Sequence, residues 1–189
     1  MLHRYLDLLE KWNAAYNLTA VRGRAAMEVE HILDSLAIVP HIGLRAGTVV
    51  DVGTGAGLPG MVLAIVLPEN RYVLIDSNGK KTRFLMQAAH ELGLRNVTVF
   101  NGRIEDWQPA SRVDLVTSRA FASLADMVQG CRALLESGAQ ALAMKGVRPD
   151  DEIAALPADV QVKEVVALRV PGLDKERHLV CIVLDGAPA

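Results

Sequence analysis

Apolar positions recur along this chain with two periods, and the change from one to the other divides it. Leu2, Tyr5, Leu6, Leu9 and Trp12 fall at helical spacing and predict an amphipathic helix ending near Ala15. A polar turn around Asn17 and Thr19 leads to a second predicted helix over 25–39, with Met27, Ile32 and Leu36 inward. From Thr48 onward, short and nearly continuous apolar runs alternate with helical patterns. The predicted strands are 48–52, 71–76, 97–100, 113–117, 139–144, 161–169 and 179–184; the predicted helices are 58–67, 79–92, 123–136 and 150–156. Such alternation predicts an α/β fold whose parallel sheet is covered on both faces. The last two strands have no helix between them, so the Pro171-Gly172 link predicts an antiparallel hairpin at the sheet edge.

Composition narrows the reading. With 189 residues, about half of them hydrophobic, the chain can build one well-cored domain over 1–189. Residues 1–40 form an N-terminal helical appendix to a core over 48–189. A formal net charge of −2 gives no global field to attract nucleic acid, so any such contact has to use a local basic patch. The two cysteines, Cys131 and Cys181, form no C-x-x-C pair and no Cys/His cluster. They read as small core residues in a reducing compartment, and no metal is expected. No apolar h-region and no run of ~18 apolar residues appears, so the expected location is the cytoplasm, with no membrane association.

The run Val49-Val50-Asp51-Val52-Gly53-Thr54-Gly55-Ala56-Gly57-Leu58-Pro59-Gly60 carries the most chemistry. A strand passes through an acid and turns through three alternate glycines toward a helix expected near Leu58, with Pro59 in its first turn. Such a turn lets a ligand approach the backbone closely, and a helix start offers free N–H groups to an electron-rich ligand. Asp51 would repel a pyrophosphate but suits a cationic amine, which favours S-adenosylmethionine over a dinucleotide. Residues 55–60 do match G-x-G-x-x-G, but out of register. Counted from Gly53, the third glycine position holds Leu58.

Later loops extend the pattern. Asp76 closes the second strand 25 residues after Asp51, an offset at which an acid can accept both ribose hydroxyls. Asp76-Ser77-Asn78 also caps the next helix. The loop Asn101-Gly102-Arg103-Ile104-Glu105-Asp106 follows the third strand and would border the adenine. Ligands of open α/β sheets lie at the carboxyl ends of strands, which places Ser118 and Arg119 at the cleft mouth. His31 and Asp34, three apart on one helix face, read as a hydrogen-bonded pair supporting the cofactor loop. Phe121 reads either as core or as a stacking partner for a flipped base.

Five parallel strands and a hairpin resemble the Rossmann-like, mostly parallel seven-stranded layout of class I S-adenosylmethionine-dependent methyltransferases. The whole chain is similar to a narrower family, the bacterial 16S rRNA guanine-N7 methyltransferases, or glucose-inhibited division protein B family. The resemblance lies in Trp12-Asn13, Asn17-Leu18-Thr19-Ala20, His31-Ile32-Leu33-Asp34-Ser35, the glycine-rich run and Asp76-Ser77-Asn78-Gly79-Lys80-Lys81. It continues in Ser118-Arg119-Ala120-Phe121-Ala122-Ser123-Leu124, Lys145-Gly146 and Glu176-Arg177-His178-Leu179-Val180. It departs at the amino end, where family members carry more residues before the first helix.

The resemblance implies transfer of a methyl group from S-adenosyl-L-methionine to N7 of one guanine in 16S rRNA, as the small subunit or its assembly precursor. It gives Gly53, Leu58, Ile104, Glu105 and Arg119 as cofactor-binding positions; the reading of the residues adds Asp51, Gly55 and Asp76. Arg119 has three open roles: pairing with the methionine carboxylate, gripping an RNA phosphate, or forming a structural ion pair. Arg119, Lys145 and Arg177 are the expected substrate-binding residues. Further phosphate-binding candidates are Arg22, Arg24, Arg148, Lys175 and His178, together with Lys80, Lys81 and Arg83, which read equally as a solvated helix face. Guanine N7 has an exposed lone pair and needs no deprotonation, so no catalytic residue is assigned. A monomer is expected, with no DNA partner. The competing readings are a methyltransferase of a small molecule or protein, a non-catalytic nucleotide- or RNA-binding module, and a dinucleotide oxidoreductase.

Overall fold

The computed structural model describes residues 1–43, 46–119, 121 and 123–188. Seven strands form one sheet: β1 (Thr48–Val52), β2 (Arg71–Asp76), β3 (Val97–Asn101), β4 (Leu115–Ser118), β5 (Gln140–Lys145), β6 (Val160–Ala167) and β7 (His178–Leu184). Their order is β3-β2-β1-β4-β5-β7-β6. The first five are parallel, and β7 runs antiparallel to both β5 and β6. The chain winds outward from β1 to β3, then crosses to β4. That reversal between β1 and β4 opens a crevice at their carboxyl ends, where open α/β sheets bind ligands.

The near-continuous apolar strands follow from burial on both faces. Val49, Leu74, Leu115, Leu142 and Leu179 point into one core with the N-terminal helices and the helices Gly60–Val66 and Gly79–Leu92. Val50, Ile75, Val116, Ala141 and Val180 point into the other, under Leu124–Gly130 and Arg132–Glu136. The thiols of Cys131 and Cys181 are buried and unbridged, and burial pushes the Cys131 thiol up to about 12.

Several predicted boundaries move. The hairpin is joined by residues 168–177, and β7 inserts between β5 and β6, leaving β6 as the edge strand. A register shift between Val162 and Glu164 disrupts that edge, a feature that discourages pairing with other chains. The helix predicted over 123–136 breaks at Cys131. The glycine-loop helix begins at Gly60, so Pro59 precedes its first turn. The reason is a compact turn ahead of it, in which the N–H groups of Gly57 and Leu58 both donate to the Thr54 carbonyl.

The N-terminal segment is more than an appendix. The helix Leu2–Tyr16 seats Tyr5 and Trp12 against Phe84, with ring centroids 6.3 and 5.7 Å apart. The second predicted helix is a continuous run over 24–36 whose middle, Glu28–Leu33, is π-helical; it breaks there and restarts as Val39–Ile42. A π turn inserts a residue and re-aims the side chains beyond it, an arrangement frequent at functional sites. Arg24 ties this run to the first helix through Asp7, at 2.5 Å.

Candidate functional site

Gly53, Gly55 and Gly57 all adopt positive φ, which bends the chain sharply out of β1. Asp51 holds the resulting loop from beneath. Its Oδ2 accepts the Thr54 hydroxyl at 2.6 Å and the Gly60 N–H at 2.8 Å. A Cβ at position 60 would lie 2.7 Å from that oxygen and overlap Leu74, so only glycine lets the helix start this close to the strand. The Gly60 N–H is therefore spent on Asp51 rather than offered to a ligand. Asp51 itself is fully buried and does not reach the cleft; burial pushes its carboxyl up to about 6, against the pull of Thr54 and Gly60.

Two further groups fix the loop. Asp76 is also buried; its Oδ2 accepts the Gly55 N–H and its Oδ1 the Asn78 N–H, both at 2.8 Å. An ionised carboxylate has about four acceptor sites, so lone pairs remain for a ligand. Asn78, not Asp76, caps the next helix, accepting the Lys80 N–H at 3.0 Å. From the other side the Tyr5 hydroxyl donates to the Ala56 carbonyl, and burial raises the Tyr5 pKa, keeping that donor protonated.

Two cavities meet at Gly53. One, of about 310 Å³, has Asp76 and Glu105 as acids and Ile75, Ile104 and Phe121 as apolar walls. The other, of about 490 Å³, is lined by Gly55 and Leu58 from the loop, by Thr19, His31 and Asp34 from the N-terminal segment, and by cations. Those cations are Lys81, Arg119, Lys145 and Arg177. The first cavity suits a nucleoside; the second suits an anionic or electron-rich group.

Asp34 organises the cationic half. Its Oδ2 accepts from Arg119 Nη1 and its Oδ1 from Arg177 Nε, both at 2.8 Å. The Asp34 side chain is 2% exposed, against 24% and 19% for the two arginines. Lys145 pairs with Glu152 at 2.8 Å, and His178 Nδ1 lies 2.8 Å from the Gly146 carbonyl oxygen. One acid thus gathers the exits of β4 and the entry of β7 around the second cavity, and the triad retains one net positive charge.

With that geometry in view, comparison with known proteins places the chain. A family model described as rRNA small subunit methyltransferase G matches residues 1–180. The chain belongs to that family. Ribosomal RNA small subunit methyltransferase G of Hahella chejuensis is 52% identical over 183 residues, covering 97% of this chain and 83% of the relative. The protein of the same name from Yersinia enterocolitica is 53% identical over 179 residues, covering 94% and 86%. Among solved structures, a SAM dependent methyltransferase from Aquifex aeolicus superposes with a TM-score of 0.66 at 18% identity, covering 84% of this chain and 93% of that one. That likeness supports the Rossmann-like methyltransferase fold.

For this member of the methyltransferase G family, the structure brings Gly53, Gly55, Leu58, Arg119, Lys145 and Arg177 to one cavity, and Gly53, Asp76, Ile104 and Glu105 to its neighbour. Asp51 stands behind both. Arg119 forms an ion pair and still lines the cavity. Ser118, expected at the cleft mouth, is buried and donates to the Val52 carbonyl at 2.7 Å. His31 and Asp34 do not pair with each other: His31 Nε2 meets Thr19 Oγ1 at 2.9 Å, and burial lowers its pKa. Phe121 packs near Gly130 and walls the nucleoside cavity. Sequence reasoning missed Thr19 and the anchoring by Tyr5, and read Lys81 only as a phosphate contact or a solvated residue. The signals were weak: Tyr5 and Lys81 are polar groups among the apolar positions of helices, and Thr19 lies in the turn between the first two helices. Among the described residues, no group of three or more His, Cys, Asp or Glu could hold a metal, and no helix is long and apolar enough to cross a membrane.

Proposed function

We propose that this protein transfers a methyl group from S-adenosylmethionine to N7 of a guanine in 16S rRNA, in the small ribosomal subunit or its assembly precursor. It does so as a monomer in the cytoplasm. The observation that carries this reading is the pair of cavities meeting at Gly53, one shaped and charged for a nucleoside and the other ringed by cations.

S-adenosylmethionine fits the residues present. Asp76 has unused lone pairs for ribose hydroxyls, Ile75 and Ile104 supply apolar walls for adenine, and Glu105 stands at that cavity's edge. Gly53 and Gly55 let the ligand lie against the backbone, and Leu58 packs behind them. Arg119 keeps N–H groups beyond its bond to Asp34 and is the partner for the methionine carboxylate. Bound there, the cofactor supplies a sulfonium-activated methyl group.

Guanine N7 presents a lone pair without losing a proton, so the chain has to align and desolvate rather than abstract. Its residues match that demand. Burial keeps the His31 ring neutral and Thr19 holds it; both oxygens of Asp34 are taken by arginines. Lys145 and Arg177 stand at the rim to meet RNA phosphates. Methylation makes the base cationic, and Asp34 and Glu152 moderate the positive field around it.

The test is transfer of labelled methyl from S-adenosylmethionine to small subunits from cells lacking the protein, followed by nuclease mapping. The expected product is 7-methylguanosine at one 16S rRNA site. Measurable cofactor binding with no label on RNA would overturn the rRNA assignment in favour of a small-molecule or protein acceptor.

A further inference from the structure

The cations around the second cavity are engaged by acids: Arg119 and Arg177 with Asp34, Lys145 with Glu152, Lys175 with Glu30 and Arg148 with Asp150. The opposite flank differs. Lys80 and Arg83 follow β2, Arg103 follows β3, and all three are exposed. Among the described residues no carboxylate oxygen lies within 4.0 Å of any of them, whereas the nearby Lys81 is 3.9 Å from Asp76.

These three form one patch. The Asp76 carbonyl accepts from both the Gly102 N–H and the Asn101 side chain at 3.1 Å, so the loops after β2 and β3 lie side by side. A Cβ at Gly79 would be 3.7 Å from Asn101 Oδ1 and 3.9 Å from an Arg83 guanidinium nitrogen. Arg103 reaches the rim of the nucleoside cavity. Asp76 is buried beneath the patch, and the exposed acids Glu105 and Asp106 leave it unpaired. Local stability does not account for the arrangement: Lys80 stands in the first turn of a helix, where acids are preferred and this one has none, and neither Arg83 nor Arg103 has a carboxylate partner among the described residues. A rule broken without structural compensation points to function.

We infer that Lys80, Arg83 and Arg103 form a second RNA-backbone surface, so that the substrate RNA straddles the cofactor cleft. One strand segment meets Lys145 and Arg177 beyond β5; another meets the unpaired patch beyond β2 and β3. The patch supplies most of the counterion-release affinity, because its cations give up no protein carboxylate to bind phosphate. This rests on the rRNA methyltransferase reading above.

The test uses the double variant Lys80→Gln/Arg83→Gln, whose side chains line neither cavity. Methylation of small subunits is followed from 50 to 200 mM salt, with cofactor affinity measured separately. The KM for subunits should rise about tenfold, and the slope of log kcat/KM against log salt should flatten by about 1.4 to 1.8 for two lost contacts. Cofactor affinity should stay unchanged, and Lys80→Arg/Arg83→Lys should retain the wild-type slope. Unchanged subunit KM and salt slope in the glutamine variant overturn this inference alone. So does a parallel loss of cofactor affinity, which would assign these cations to the cofactor loop. A wild-type protein that methylates no subunit overturns the underlying reading, and this one with it.

Discussion

Replacing Asp34 with asparagine tests how the cleft is held. The substitution keeps the shape but removes the charge and turns one acceptor into a donor facing a guanidinium. Of two charge-assisted bonds at 2.8 Å, one is lost and the other loses its carboxylate charge, on an acid that is 2% exposed. Breaking a fully buried pair costs about 3–5 kcal/mol. Here the arginine side chains are 24% and 19% exposed and can turn toward water, which lowers the expected cost to about 2–3 kcal/mol. For a chain of this size that is a fall in Tm of about 5–10 °C. Because the two guanidiniums then repel, Arg177→Gln should restore part of the lost stability in the Asp34→Asn background while lowering it in the wild type. Thermal unfolding of the four proteins closes this cycle. Methylation assays should show kcat/KM for subunits falling by about 10–100-fold, the range for a loss of 1.4–2.8 kcal/mol. A variant that melts within about 1 °C of wild type and keeps both KM values would refute the reasoning.

Three further perturbations probe the loop. Tyr5→Phe leaves the Ala56 carbonyl without its donor and should cost about 1–2 kcal/mol, with up to tenfold weaker cofactor binding; urea unfolding and cofactor titration measure the two, and unchanged affinity would separate the first helix from the loop. Gly60→Ala should lose about 2–3 kcal/mol through overlap with Leu74 and Asp51, whereas Gly55→Ala, which meets only Lys81 at 3.9 Å and the Gly53 carbonyl, should lose about 1 kcal/mol by thermal melting but bind cofactor poorly. Asp51 has a folded pKa of about 6 against about 3.9 unfolded, so the native state binds the extra proton between those values. Its contribution to stability is therefore full below about pH 4 and lost as pH rises through 6, by up to about 3 kcal/mol. The difference in unfolding free energy between wild type and Asp51→Asn, measured from pH 4 to 8, should follow that curve; a flat difference would sink it.

The strands and the glycine-rich turn were legible because their signals are local. An apolar run bounded by turn residues, and glycines placed where φ is positive, need no knowledge of the partner. What escaped depended on contacts far apart in sequence. The Tyr5 hydroxyl reads as one more inward position of an amphipathic helix, yet it reaches Ala56. Asp34 reads as the neighbour of His31, but the π-helical segment before it re-aims the chain, and its partners lie 85 and 143 residues away. The helix expected at Leu58 began at Gly60 because Asp51 and Thr54 consumed the intervening hydrogen-bonding groups, a local competition that periodicity does not register.

The distribution of charge follows from the chemistry proposed. A neutral guanine becomes a cation as it gains the methyl group, so unscreened lysines and arginines beside it would oppose the transition state even as they attracted RNA. Asp34 and Glu152 answer that conflict at the second cavity: Glu152 offsets the charge of Lys145, and Asp34 offsets one of the two arginine charges while both guanidiniums keep their geometry and hydrogen-bonding arms. Attraction for phosphate is then better supplied by cations away from the reacting base, and among the described residues Lys80, Arg83 and Arg103, beyond β2 and β3, border the cleft without an acid partner. A chain with a net charge of −2 can in this way hold a polyanion without making its own product unstable. Under the proposed function, charge reversal at Glu152 should tighten RNA binding yet slow methyl transfer, measured as a lower KM for small subunits together with a lower kcat.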